Sequence, residues 1–219
     1  TCGNSGRSPE PHIHFQLQIV PFVGAKTLEY PISYYIERNK EEKILRYSEI
    51  PKEGDLISNV QINDILKNGF NLYPGLKIKF QKQGAQSPIV WEVKTDAWNR
   101  TYIHCEETAS YAYFVNDGTM FYFTDFDGDR KSLLFHFFLG AYRQILGYYK
   151  SIEVNDKIPQ IHFNSTLIQI VQDFIAPFYL FTKVNYTSSF IHADNAYAPQ
   201  NIIISSKIEA KSAKKLWKK

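Results

Sequence analysis

Two aromatic-rich runs, Ala109–Asn116 and Thr119–Asp125, stand on either side of Asp117-Gly118. Both turn residues tolerate the positive φ angles of a tight two-residue connection, so the segment is expected to form a β-hairpin. Its Tyr and Phe residues alternate with smaller ones, the pattern of a sheet with a packed aromatic face. Such stripes also suit the stacking of sugars. The chain at large points the same way: 15 Tyr and 16 Phe in 219 residues, with a single Met, favour strand over helix.

Shorter strand signals recur on both sides of the hairpin. Lys43–Ile50, Leu76–Gln81, Ile89–Thr95 and Thr101–Glu106 are bounded by turn residues, and His12–Ile19 alternates in type. Leu28, Tyr30, Ile32, Tyr34 and Ile36 repeat at every second position, with Pro31 suggesting an edge strand. Thr166–Ala176 is the strongest helix: one apolar face, a Thr166/Gln169 capping box and Pro177 behind it. Leu133–Leu146 fits helix or strand equally well. The charged run Arg38–Lys43 reads as a solvated turn or hairpin tip and as the preferred domain boundary. The expected fold is mainly β, with residues 1–38 as one module, 39–206 as a larger β-rich domain with one or two helices, and 207–219 as a basic tail.

Charge is unevenly placed. Residues 207–219 hold six lysines against Glu209, a net of +5, so the other 206 residues carry −2 of the chain's +3. The body therefore offers no basic face for nucleic acid. The tail reads as solvated, frayed and dispensable for folding; the alternative is attachment to an anionic membrane surface with Trp217 at the interface. No stretch has the roughly 18 uninterrupted apolar residues of a membrane span. Cys2 and Cys105 allow one bridge but make no disulfide framework.

The segment carrying chemistry is Gly3-Asn4-Ser5-Gly6-Arg7-Ser8-Pro9-Glu10-Pro11-His12-Ile13-His14-Phe15. On a strand, His12 and His14 project from one face about 7 Å apart, with Ile13 and Phe15 on the other. Alone, a His-x-His pair more often marks two solvent-facing histidines on a half-buried strand than a metal site.

The whole run, however, resembles the last block of the M23 (lysostaphin-like) zinc metallopeptidases: a Gly-Asn-Ser/Thr-Gly turn, then Pro-His-Leu/Ile-His-Phe. That resemblance implies that His14 is a zinc ligand and His12 a catalytic residue that polarises the substrate or handles protons. Zn2+ in such a site lowers the pKa of a bound water to about 7 and polarises the scissile carbonyl. It further implies peptidoglycan as partner, cleavage of its peptide cross-links, and a place in the bacterial cell envelope, periplasmic or membrane-associated. Glu10 and Gln16 depart from the family pattern at positions that bind no metal. The family's other two ligands come from an upstream His-x-x-x-Asp, and no other histidine here is followed by Asp at that spacing. The expectation is that of a C-terminal fragment, inactive alone, since catalytic zinc takes three protein ligands. The aromatic runs further on resemble the region behind M23 modules fused to urea-transporter-like membrane domains. The alternative function for residues 39–205 is a non-catalytic binding or scaffolding module.

Three further clusters read as structural. Asp125-Phe126-Asp127-Gly128-Asp129 resembles the start of a calcium loop but lacks its closing Glu, and is expected to be a polar turn. His104-Cys105-Glu106-Glu107 places neighbours on opposite strand faces. His192-Ala193-Asp194 falls in Ser188–Pro199, which reads as a solvated loop.

Overall fold

The computed structural model describes residues 17–39, 42–81, 88–163, 182–194 and 201–212. His12, His14, Cys2 and the expected helix Thr166–Ala176 lie outside these residues. The chain is mainly β, built from several antiparallel sheets. It divides into two compact units, Thr1–Asn59 and Val60–Lys219.

In the first unit, β1 (Leu17–Gln18) pairs with β2 (Thr27–Leu28) in a short antiparallel ladder. β3 (Ile32–Asn39) lies between β4 (Glu42–Glu49) and β5 (Leu56–Ser58). Tyr35, Ile36 and Leu45 are its buried apolar residues, and Arg46 Nε meets Glu37 Oε2 at 2.6 Å beside them. Of the charged run, Arg38 stands opposite Lys43 and Asn39 opposite Glu42 where β3 pairs with β4, and the two units meet between Asn59 and Val60. A hairpin tip and a linker have the same charged composition, so composition alone does not separate them. Pro31, lacking an N–H, precedes a strand that is central in its sheet, not at an edge.

The second unit begins with α1 (Asp64–Gly69), whose N-cap Asn63 accepts from the backbone N–H groups of Ile65 and Leu66. Then come β6 (Lys77–Phe80), β7 (Ile89–Thr95), β8 (Thr101–Cys105), β9 (Ser110–Asn116) and β10 (Met120–Asp127), a meander of antiparallel neighbours. The ambiguous stretch after it is both things in turn: α2 (Leu133–Gly140), capped by Ser132, then β11 (Arg143–Ile145), which pairs back on β10. A second sheet holds β12 (Glu153–Lys157), β13 (Thr182–Ala193) and β14 (Ile202–Ser212).

Alternation sorts the aromatics. Trp91, Val93, Ile103, Ala112, Phe114, Phe121 and Phe123 point to one face of the meander, where they pack with Leu134 and Phe138 of α2 and Val184 and Tyr186 of β13. Each large apolar side chain buried this way contributes about 1.5–3 kcal/mol, which makes this face the core. The expected hairpin forms, but Gly118, at φ 85°, is the first of its two central residues, because Asp117 pairs with Met120. The side chain of Asp117 accepts from Thr119 N and Met120 N, which fixes the turn one position later than expected. Beyond it a bulge between Phe123 and Asp125 inserts Thr124, so that Phe126 returns to the core.

Two expectations are corrected here. Ser188–Ala193 belongs to β13, and Lys207–Ser212 to β14, so neither stretch is the loop or frayed tail that its polar residues suggest. In β14, Ile204, Ser206 and Ile208 share one face, with Ile208 packed on the core, while Lys207 and Glu209 pair at 2.6 Å on the other. An amphipathic edge strand rich in lysine has the composition of a tail.

Candidate binding groove

The second face of the meander carries tyrosine where the first carries phenylalanine. Lys94, Tyr102, Tyr113 and Asp125 stand opposite one another across β7–β10, next to the row Glu92, His104, Tyr111. Tyr102 lies 5.1 Å from Tyr113 and 5.8 Å from Tyr111, and His104 stacks on Tyr111 at 4.7 Å. The rings are half-buried, which suits the amphipathic character of tyrosine. The sequence expectation that alternating aromatics make sheet core thus holds for Phe and Trp and not for these tyrosines.

Electrostatics on this shelf is balanced. Glu92 lies 3.2 Å from Lys94 and 3.8 Å from Lys77, and the Lys94 hydrogen bond above all holds its carboxyl below the ordinary range. Burial, then the neighbouring Lys94 ammonium, lowers the pKa of His104.

One end of the shelf opens into a groove of about 1040 Å³. Its walls come from the last turn of α1 and the residues after it (Asn68, Asn71, Tyr73), the β7–β8 turn (Asn99, Arg100), Tyr113 and the Thr124–Asp125 bulge. Among the described residues, the side-chain amides of Asn68, Asn71 and Asn99 have no partner, whereas Asn116 donates to Phe70 O and accepts from Gly118 N. Asp125 accepts from Phe126 N and lies 4.0 Å from the buried His162, whose pKa is lowered first by burial.

The β7–β8 turn is fastened by its own residues. Asp96 Oδ1 accepts from Trp98 N and Arg100 N, both at 2.9 Å, and Oδ2 accepts from Arg100 Nε at 2.8 Å. Arg100 in turn lies over the Trp98 ring at 5.3 Å and the Tyr113 ring at 4.8 Å. Sequence reasoning did not single out this turn. The available signal was Asp96 two residues before a tryptophan, in a short connection between two strand runs.

The other sequence candidates fall as follows. Cys105 is free and buried, on the face opposite His104, as strand alternation requires. Asp125 to Asp127 end β10, and beyond them Gly128 takes φ 115° and Asp129 accepts from Lys131 N, so the acidic run passes from the strand into a polar turn. Asp194 accepts from both nitrogens of Asn201 that face it. Among the described residues no three His, Cys, Asp or Glu side chains gather as a metal site, and no helix is long and apolar enough to cross a membrane. No family model, curated relative or solved structure matches this chain.

Proposed function

We propose that the second unit is a non-catalytic binding module of a cell-envelope protein, with peptidoglycan as its partner. The observation that supports this reading is the groove beside the tyrosine shelf: amides, aromatic rings and a pre-set turn from α1, the segment after it and the β7–β8 connection converge there, over the interior strands β8–β10. Purified peptidoglycan sacculi are the test. The 219-residue chain should co-sediment with them, and a failure to do so at any salt concentration removes the reading.

A second reading concerns residues 1–38 and rests on the run GNSGRSPEPHIHF. In it the chain is the C-terminal part of a zinc endopeptidase that cuts peptidoglycan cross-links, with His14 as one ligand and His12 beside the reacting carbonyl. Zn2+ would supply an activated water there, and two more ligands from an upstream His-x-x-x-Asp are needed. A urea-transporter-like membrane domain further upstream, and contact of the C-terminal lysines with anionic lipid, belong to the same reading. In a parent protein bearing that motif, His14→Ala should lose metal and activity together, while His12→Ala keeps the metal and loses activity. Equal metal loss in both variants contradicts these roles, and zinc-dependent clearing of cell walls by the 219-residue chain alone contradicts the need for upstream ligands.

A further inference from the structure

Trp98 is 77% exposed, and the looseness of its loop is not the reason. Besides the Asp96 side-chain bonds, Asp96 N donates to Arg100 O and Asn99 N to Asp96 O, both at 3.0 Å, closing the turn at its base. Asn99 sits at φ 61°, a conformation asparagine tolerates better than most residues. A large aromatic side chain left mostly in water on a hydrogen-bonded turn, with Arg100 over its ring, is placed in advance for a ligand. Tyr73, on the groove wall, is 55% exposed.

We infer that this groove binds a neutral oligosaccharide carrying N-acetyl groups, with Tyr73 on its wall and Trp98 beside it, next to the lining residues Asn99 and Arg100, as stacking platforms for the sugar rings. The inference rests on the binding-module reading and names the ligand class. Aromatic faces match the apolar C–H faces of pyranose rings. The free amides of Asn71 and Asn99 can donate to and accept from hydroxyl and acetamido groups. At about 1040 Å³ the groove is at the upper end of small-molecule sites, room for several sugar rings.

Two other polymer classes fit less well. Nucleic acid and polyphosphate need an excess of cations, whereas Arg100 is tied to Asp96 and the lining carries the acid Asp125 as well as Lys67. An extended peptide binds by adding a strand to a sheet edge. The groove lies instead over β8, β9 and β10, which are interior in the order β11-β10-β9-β8-β7-β6.

The test is isothermal titration of the 219-residue chain with chitotetraose, cellotetraose, a peptidoglycan stem peptide and a polyphosphate, alongside sacculus co-sedimentation. Chitotetraose should bind, and Trp98→Ala and Tyr73→Ala should each weaken it by about 10-fold, the scale of one lost aromatic stack. Both side chains are exposed, so the variants should keep the wild-type thermal midpoint. Absence of chitotetraose binding, equal binding of cellotetraose, preference for the stem peptide or polyphosphate, or wild-type affinity in Trp98→Ala overturns the inference. Sacculus binding that survives such a result leaves the binding-module reading standing; loss of both removes both.

Discussion

Arg100 approaches Asp96 Oδ2 at 2.8 Å from both Nε and a terminal guanidinium nitrogen, while the other carboxylate oxygen holds the backbone N–H groups of Trp98 and Arg100. Burial opposes the charge on Asp96, but these donors outweigh it and hold its carboxyl below the ordinary aspartate range. One side chain therefore sets the turn that presents Trp98.

Asp96→Ala should weaken chitotetraose binding at least as much as Trp98→Ala, although Asp96 itself does not line the groove. Time-resolved anisotropy of Trp98, in a background with the other tryptophans replaced by phenylalanine, should show the indole freed. An unchanged affinity and anisotropy would mean that the turn is fixed by something else.

Gln144 is a fully buried amide whose satisfaction depends on the second sheet. Its nitrogen donates to the Tyr186 hydroxyl at 2.6 Å and its oxygen accepts from Ser188 at 2.8 Å. The Tyr186 hydroxyl also donates toward Gly140 O at the end of α2. Tyr186→Phe should destabilise the protein by about 1–3 kcal/mol, since it strands buried polar groups while removing little volume. Urea unfolding measures this, and a double-mutant cycle with Gln144→Leu should recover part of the loss.

His162 is 4% exposed, edge-on to Phe138 at 5.0 Å. Burial first, and Arg130 in addition, lower its pKa against the opposing pull of Asp125. A lowered folded-state value means that the unfolded chain takes up the proton first. Stability is then full above the ordinary histidine value of about 6.5 and falls as pH drops through the folded value. His162→Phe should flatten the decline in thermal midpoint below pH 6.5, leaving a residual slope from His104, which is shifted the same way. An identical pH profile in the variant would contradict the shift.

Removing residues 207–219 should lower the thermal midpoint by several degrees, because it takes away half of β14 and the Ile208 contact with the core. A truncation after Ser212 leaves the described strand whole and is the control. Equal midpoints for the two truncations would show that the strand pairing adds nothing.

Much of the fold was legible because its signals are local. Lys43–Ile50, Ile89–Thr95 and Thr101–Glu106 match β4, β7 and β8 to within a residue or so, since alternation between turn residues is a property of the segment itself. The β14 strand was not, because an edge strand with lysines on one face looks like a solvated tail until its partner is known. The groove was half legible. The aromatic stripes were visible, but which rings face outward depends on a core on the other side and on the bulge at Thr124, neither of which spacing reveals. Trp98 needed the most: its meaning comes from being exposed, which no single-sequence pattern records.

Amide chemical-shift mapping of the 219-residue chain during titration with chitotetraose tests the central claim most directly. The account predicts saturable shifts confined to Lys67–Tyr73, Asp96–Thr101, Tyr113–Gly118 and the Thr124–Asp125 bulge, together with the Trp98 indole N–H. Saturable shifts centred on any other surface, or none at millimolar sugar, would contradict it.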